Sequence, residues 1–211
     1  MIYAIGDSHT RICEDHKGYK GMYHALVKNL LKAPTAHNLV KENSTNGMRE
    51  RIFDFLKQTR KSRDILLFSF GELDCRIHFY RQHVLQGVSI SRLIDNTICR
   101  YSQFIDEITE KGYTVYLLGI PPCGTQGNKF KCDYYPLPSQ QAEIFKLFND
   151  RMRQRFPDIY IDMYSPTADK DGFIKKEYQR DDIHLNEKAF PIVAKKMEEF
   201  KNNNAKITQN E

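Results

Sequence analysis

The chain has 211 residues, a length that fits one medium-sized domain around a single buried core. Apolar residues make up 40% and charged residues 28% of the chain, which is ordinary for a folded globular protein and argues against disorder. The net charge is +5, but lysines and arginines are dispersed among acidic residues, so no nucleic acid partner is expected.

The sequence also argues against a membrane partner and against secretion. No window approaches 18 consecutive apolar residues, and the first residues lack the charged start, apolar stretch and cleavage site of a signal peptide. We therefore expect a cytoplasmic location. The five cysteines include no Cys-x-x-Cys pair, so neither a zinc ribbon nor a dithiol redox site is predicted.

Short apolar runs alternate along the chain with longer segments of helical periodicity. Strands are predicted at residues 2–5, weakly at 37–40, and at 65–70, 114–120 and 159–163. Helices are predicted at residues 23–31, 48–56, 90–111, 139–155 and 187–201. This alternation predicts an α/β fold, a three-layer αβα sandwich with a central parallel sheet of about five strands and a ligand site at the carboxyl ends of the strands.

Two segments fall outside this pattern. Residues 121–138 are rich in Gly, Pro, Lys and Tyr, and we expect a long loop over the carboxyl edge of the sheet, which is typical of a binding loop or lid. Its Phe130, Tyr134 and Tyr135 could stack on a sugar ring or form a small apolar cluster that pins the loop. Residues 1–202 are predicted to form the domain, and the polar residues 203–211 a flexible tail.

Ser8 follows the first predicted strand directly, in the segment Gly6-Asp7-Ser8. At such a strand exit its hydroxyl stands at the carboxyl edge of the sheet, with its N–H near a helix start where negative charge is favoured. Ser8 is therefore a candidate nucleophile, although a serine after a strand can also serve simply as a helix N-cap. A serine nucleophile needs a base and an acid that orients the base.

Asp181 and His184 could supply those two groups. A spacing of three residues on a turn brings the carboxylate within reach of the imidazole. The carboxylate can then hold one tautomer of the ring while the other nitrogen accepts the serine proton. Asp182 is an alternative orienting acid, and a capping acid beside a surface histidine is the simpler interpretation of the pair alone.

Three short motifs occur in chain order: Gly6-Asp7-Ser8, Gly71-Glu72-Leu73-Asp74 after the third predicted strand, and Asp181-x-x-His184 before the last helix. Together they resemble the motifs of the SGNH, or GDSL, hydrolase superfamily. The resemblance implies a flavodoxin-like fold in which Ser8 attacks an acyl carbonyl, His184 acts as the base and Asp181 orients it. It also implies no metal and no organic cofactor, and substrates that are esters of lipids, sugars, peptidoglycan or small acyl groups.

The third motif departs from the family pattern. The family has Gly-x-Asn-Asp, whose asparagine donates a hydrogen bond to the oxyanion, whereas this chain has Leu73 at that position. The loss of one such donor can cost about 2.7–4 kcal/mol of transition-state stabilisation. The backbone N–H of Gly47 or the side-chain amide of Asn46, both after the second predicted strand, is a further candidate donor.

The segment Gly71-Glu72-Leu73-Asp74-Cys75-Arg76 resembles a subgroup of SGNH-like bacterial proteins that carry Gly-Glu-Ile-Asp-Cys-Arg here. Arg76 could replace the missing donor and favour an anionic or sugar-like substrate, because a guanidinium is a rigid fork that stays charged. It could instead brace Glu72 and Asp74 as a structural ion pair. The residues predicted for the oxyanion hole or for substrate binding are Ser8, Gly47, Gly71, Glu72, Asp74 and Arg76.

The sequence thus supports three hypotheses. The first is a serine esterase or deacetylase that cleaves an acyl ester of a small molecule or glycan, such as an O-acetylated sugar, through an acyl-enzyme. The second is an O-acyltransferase with the same triad, in which an alcohol replaces water. The third is an SGNH-like domain that binds a glycan or a protein with little activity, as Leu73 suggests. His9, Arg11, His78 and Arg180 fall near these motifs, but lone residues of these types more often pack or face solvent.

Overall fold

The computed structural model describes residues 1–27, 34–44, 46–125 and 134–208, with side chains as far as residue 202. Its strands are β1 (Ile2–Gly6), β2 (Tyr19–Gly21), β3 (Ile65–Ser69), β4 (Thr114–Leu118) and β5 (Tyr160–Ile161). They form one parallel sheet in the order β2-β1-β3-β4-β5. This is the strand order of flavodoxin-like doubly wound folds, and it confirms the predicted α/β sandwich.

Helices cover both faces of this sheet. They are α1 (Tyr23–Leu26), α2 (Met48–Leu56), α3 (Phe79–Gln86), α4 (Ile90–Glu110), α5 (Pro138–Arg155), α6 (Tyr164–Thr167) and α7 (Phe190–Thr208). Buried side chains of α2, α4 and α5 belong to the core on one face, and those of α7 belong to the core on the other. Across the described residues, no helix combines the length and apolar character that crossing a membrane requires.

The central strands are buried on both faces. In β3, Leu66 and Phe68 belong to the core shared with α4, whereas Leu67 between them belongs to the core under α7. Successive side chains of a strand point to opposite faces, so a strand that is covered on both sides needs a continuous apolar run. The run Ile65-Leu66-Leu67-Phe68 meets that requirement.

The second predicted strand is wrong. Residues 37–40 lie in and just after the 3₁₀-helix Ala36–Asn38, and the second strand of the sheet is β2. β2 has three residues and stands at the edge of the sheet, where it pairs with β1. A short edge strand containing Lys and Gly carries no run of apolar residues from which it could be predicted. The other four predicted strands begin and end within two residues of the observed ones.

Several helical segments also differ from the prediction. A π-helix, Asp74–His78, leads into α3, and the sequence analysis misses both. α3 exposes Val84 and Leu85, so its apolar residues do not form the single stripe that predicts a helix. The predicted helix at 23–31 begins as α1, and residues 28–33 lie outside the described residues. α7 continues to Thr208, into the predicted tail 203–211, of which residues 209–211 lie outside the described residues.

Candidate active site

Ser8 is the first residue of a 3₁₀-helix, Ser8–Cys13, that begins directly after β1. The N-cap of this helix is Asp7, whose Oδ1 accepts the backbone N–H of His9 at 3.0 Å. The hydroxyl of Thr10 donates to the Asp7 carbonyl at 2.9 Å and tightens the same turn. Since Asp7 serves as the cap, the hydroxyl of Ser8 is available for another partner.

Gly6 permits the close approach of backbone that places Ser8. It is the last residue of β1 and pairs with Ser69 of β3. A Cβ atom at Gly6 would lie 1.9 Å from the carbonyl oxygen of Ser69, a distance that no side chain could tolerate. A glycine is therefore required where the chain leaves the sheet, one residue before Asp7 and two before Ser8.

The hydroxyl of Ser8 lies beside the imidazole of His184, 176 positions later in the sequence. Ser8 Oγ lies 2.7 Å from His184 Nε2. On the other side of the ring, His184 Nδ1 lies 3.0 Å and 2.9 Å from the two carboxylate oxygens of Asp181. This arrangement suits the tautomer that carries its proton on Nδ1, which leaves Nε2 free to accept the proton of the serine.

The loop that carries His184 is fixed by hydrogen bonds to its own backbone. Asp181 Oδ1 accepts the backbone N–H groups of Ile183 and His184, both at 2.8 Å. Burial acts to raise the pKa of Asp181, but the hydrogen bonds from the His184 ring and from these two N–H groups leave it below its usual value. The carboxylate is thus ionised near pH 7 and already oriented toward the ring. Asp182, the alternative acid, accepts a hydrogen bond from Gly124 N–H through its backbone carbonyl at 3.1 Å.

Ser8 and His184 open into a cleft of about 620 Å³, which we call the Ser8 cleft. Most of its lining residues are polar, and the charged residues among them have both signs. The charged or ionisable lining residues other than His184 are His9, Arg11, Glu14, Asp15, His16, Arg180 and Glu187. The apolar lining residues are Ile12, Leu118, Pro121, Met163 and Leu185.

His9 is a second histidine beside the candidate base. Its ring centroid lies 5.0 Å from that of His184, and only 6% of the residue is exposed. Its Nε2 is buried and has no hydrogen-bond partner among the described residues. Burial, and then the neighbouring His184 and Arg76, lower the pKa of His9 well below its usual range, so the ring is neutral near pH 7. Sequence analysis named His9, but only the fold places its ring against His184.

The third motif lies in the interior of the protein. Gly71 has φ of +123°, and a Cβ there would lie 2.5 Å from the ring of Phe148. Glu72 forms a buried ion pair with Arg76, one turn later, in which Arg76 Nη2 also lies 3.3 Å from Glu72 Oε2. The carbonyl of Arg76 accepts a hydrogen bond from Gln141 Nε2 at 3.2 Å. Arg76 is thus paired with Glu72 in this structure.

Two further carboxyl groups are buried near this ion pair. Asp74 is 1% exposed, and its Oδ2 accepts the backbone N–H of Ala36 at 2.7 Å. Burial raises the pKa of Asp74 to about 7. Burial, and then the charge of Glu72, raise the pKa of Asp7 well above its usual range, while Arg76 opposes that rise. Asp7, Glu72, Asp74 and Arg76 therefore form one buried charge cluster behind the nucleophile.

None of the five other residues predicted for the oxyanion hole or for substrate binding lines the Ser8 cleft in the described part of the chain. They are Gly47, Gly71, Glu72, Asp74 and Arg76. The N–H of Gly47 donates to the carbonyl of Ser44 at 2.8 Å, so it is already used within the turn. The side-chain oxygen of Asn46 accepts hydrogen bonds from Ser44 Oγ and from the N–H of Met48, both at 3.1 Å. The role of these residues in substrate binding stays a prediction.

The predicted binding loop is described only at its two ends. Phe130 lies outside the described residues, as do the rest of positions 126–133. Tyr134 is half exposed, and the Tyr135 hydroxyl accepts a hydrogen bond from Gln141 Nε2 at 2.7 Å. Within the described ranges, no group of three or more His, Cys, Asp or Glu side chains is arranged to hold a metal ion.

Comparison with known proteins finds similarity among solved structures. The chain matches no family model, and it matches no curated protein. Among solved structures it is similar to an acetyl xylan esterase, AlAXEase, with 15% sequence identity and a TM-score of 0.49. The match covers 93% of this chain and 96% of that one. The α/β fold itself follows from the parallel pairing and the strand order of this chain.

Proposed function

We propose that this protein is an SGNH-type serine hydrolase that cleaves an acyl ester through an acyl-enzyme. Ser8 is the nucleophile, His184 the general base and Asp181 the acid that orients His184. The observation that carries the proposal is the 2.7 Å distance between Ser8 Oγ and His184 Nε2, with both Asp181 oxygens within 3.0 Å of Nδ1. A base within about 2.6–3.2 Å of the proton donor is the geometry that general-base catalysis needs.

The reaction proceeds in two steps with the same three residues. In the first, His184 Nε2 takes the proton of Ser8 as Oγ bonds to the acyl carbon. The imidazolium, stabilised by Asp181, then gives that proton to the departing alkoxide, which leaves as the alcohol. In the second, His184 takes a proton from water as the water oxygen attacks the acyl-enzyme. The proton returns to Ser8 Oγ when the carboxylic acid is released.

The tetrahedral intermediates of both steps carry a negative oxygen that needs hydrogen-bond donors. We propose the backbone N–H of Ser8, at the start of its 3₁₀-helix, as one of these donors. Leu73 offers no side-chain donor, and Arg76 is held by Glu72.

The lining of the Ser8 cleft favours a hydrophilic alcohol over a lipid. Arg11, Arg180 and Asn186 offer donors, while Glu14 and Glu187 offer acceptors for hydroxyl groups. A sugar hydroxyl both donates and accepts, so a wall of mixed polarity suits an O-acylated carbohydrate.

Labelling with a fluorophosphonate probe tests the proposal. The probe should modify Ser8, as mapped by mass spectrometry, and the Ser8→Ala variant should lose both labelling and hydrolysis of p-nitrophenyl acetate. Ser89→Ala is the matched control, because Ser89 only caps α4 by accepting the N–H of Arg92 at 3.3 Å. A folded wild-type protein that is never labelled would contradict the proposal and favour a binding domain. Release of acetate in water, against acetyl transfer to an added sugar, separates hydrolase from transferase.

A further inference from the structure

Both nitrogen atoms of the His184 ring have partners, but one of those partners is open to solvent. Nε2 lies 2.7 Å from Ser8 Oγ, and Nδ1 lies within 3.0 Å of both Asp181 oxygens. The side chain of Asp181 is 50% exposed, so water can compete for the oxygens that orient the ring. In the serine-protease triad the corresponding aspartate is buried. The exposed acid of this chain therefore makes a second restraint on the ring valuable.

The ring of His9 lies beside the His184 ring and can supply that restraint. The two ring centroids are 5.0 Å apart, and the ring planes are inclined by 38°. This separation lies within the range of favourable aromatic contacts, which is about 4.5–7 Å. The side chain of His184 is only 25% exposed, and His9 is one of the groups that cover it. A packed neighbour on that side limits how far the His184 ring can turn.

His9 is itself held in place. It is 6% exposed, and its backbone N–H donates to Asp7 Oδ1 at 3.0 Å. The next residue, Thr10, is fully buried and donates its hydroxyl to the Asp7 carbonyl at 2.9 Å. His9 also belongs to the same 3₁₀-helix as Ser8, one residue after it. The element that positions the nucleophile therefore positions the His9 ring as well.

The charge of His9 suits a place beside the base. Burial, and then the nearby charges of His184 and Arg76, lower the pKa of His9, so its ring is neutral near pH 7. His184 becomes a cation when it takes the serine proton, and a second cation beside it would oppose that step. A neutral ring packs against His184 in both protonation states without this repulsion.

We propose that His9 is a positioning residue, which packs against His184 and keeps Nε2 of that ring directed at Ser8. It forms no bond to the substrate and transfers no proton. The ring must hold its place while it takes the proton of Ser8 and passes it to the leaving alkoxide, and a misplacement of about 1 Å can cost roughly 10²-fold in rate. The inference rests on the proposed function, because it takes His184 as the base.

Three substitutions of His9 test the proposal through kcat and KM for p-nitrophenyl acetate. His9→Ala removes the packing, so kcat should fall about 10- to 100-fold while KM changes little. His9→Phe keeps a flat ring and has no N–H group, so it should retain most of the wild-type kcat. His9→Gln keeps an N–H donor without a ring, so it should resemble His9→Ala. His24→Ala, at an exposed position, is the matched control.

A second measurement needs no substrate. The ¹H NMR signal of the His184 Nδ1 proton, which points at Asp181, should persist in His9→Phe and broaden through exchange with water in His9→Ala. Ile108→Val removes a methyl group from a fully buried position on α4, far along the chain from the triad, and controls for lowered stability. It should keep both kcat and the Nδ1 proton signal.

Wild-type kcat in both His9→Ala and His9→Gln would overturn the proposal. Activity that survives in His9→Gln but not in His9→Phe would also overturn it, because His9 would then act through a hydrogen bond. An equal loss of kcat in Ile108→Val would trace the effect to stability instead. A wild-type protein that fluorophosphonate never labels contradicts the proposed function, whereas the Nδ1 signal still reports whether His9 restrains the ring.

Discussion

The Ser8 cleft and the third motif both follow strands of the sheet, yet they use their polar residues in opposite ways. In the cleft, Ser8 and His184 face a solvent-filled space and each other. In the third motif, Glu72 and Arg76 face each other inside the protein and are satisfied there. In the cleft, the Ser8 and His184 side chains are accessible to a ligand. In the third motif, the charged groups pair with each other and stabilise the fold.

This difference shows why a motif match alone does not assign a role. The charged residues at positions 72–76 occupy the segment that follows β3, where the family resemblance places an oxyanion donor. In this chain the segment winds into a π-helix and α3 and buries its charges. A short π-helical segment often marks a specialised site, but here its buried charges lie behind the nucleophile. Substitutions in the Ser8 cleft should therefore lower activity, whereas substitutions in the buried cluster should lower stability.

His184→Gln should cause the largest loss of activity. Without the base, Ser8 keeps its hydroxyl proton, and the loss of one triad member can lower kcat by roughly 10⁴- to 10⁶-fold. Hydrolysis of p-nitrophenyl acetate and the rate of fluorophosphonate labelling should fall together, while urea denaturation shows a change of less than about 1 kcal/mol. His24→Gln, at an exposed position outside the cleft, is the control. Retention of wild-type kcat by His184→Gln would rule out His184 as the base.

Asp181→Asn should have the next largest effect. An amide can hold the His184 ring in the wrong tautomer, and the equivalent change in a serine protease lowers kcat about 10⁴-fold. Asp182→Asn is the matched comparison, because Asp182 is the alternative orienting acid and the neighbour of Asp181 in the sequence. A steady-state assay of both variants decides between the two acids. A larger loss in Asp182→Asn would exchange their roles.

Arg76→Met should act on stability more than on the chemical step. It leaves Glu72 buried beside Asp7 and Asp74 without its cation, and breaking a buried ion pair in this way costs about 3–5 kcal/mol. Urea unfolding followed by circular dichroism gives the loss. The double variant Glu72→Gln, Arg76→Met should recover much of it, because no unpaired charge remains. A stable single variant that loses only substrate affinity would instead place Arg76 in substrate binding.

Much of the fold could be predicted because it depends on burial alone. Strands covered on both faces, such as β3, show as continuous apolar runs, and long amphipathic helices such as α4 show as stripes. The edge strand β2 could not be predicted, since its three residues are held by pairing with β1 and not by apolar burial. The 3₁₀-helix Ala36–Asn38 could not be predicted either, because His37, Asn38 and Leu39 carry no periodicity that separates a helical turn from a strand.

The candidate site also has a part that could be predicted from the sequence and a part that could not. Ser8, Asp181 and His184 could be named from short motifs because their chemistry fixes both residue type and local spacing. The contact between His9 and His184 could not be predicted, because it joins residues 175 positions apart in the sequence. The choice between substrate binding and bracing for Arg76 could not be predicted either, because it depends on whether the folded chain leaves the Arg76 side chain accessible.

Asp74→Asn should change how the free energy of unfolding depends on pH. Burial raises the pKa of Asp74 to about 7 from a value of 3.8 in the unfolded chain. Between those two pH values the folded protein holds a proton that the unfolded chain has released, so stability falls as pH rises. The slope approaches about 1.4 kcal/mol per pH unit, and it vanishes above the folded pKa, where both states are ionised.

Asn cannot ionise, so Asp74→Asn should flatten the decline in stability between about pH 4 and pH 7, as measured by urea unfolding at each pH. Asp7 remains in this variant, and its raised pKa contributes a decline of the same sign, so the flattening is partial. Asp54→Asn, at an exposed site on α2, should leave the profile as it is. An unaltered profile in Asp74→Asn would mean that Asp74 is ionised in the folded protein throughout this range. The cluster behind Ser8 would then carry one more negative charge than its burial favours, with Arg76 as its compensating cation.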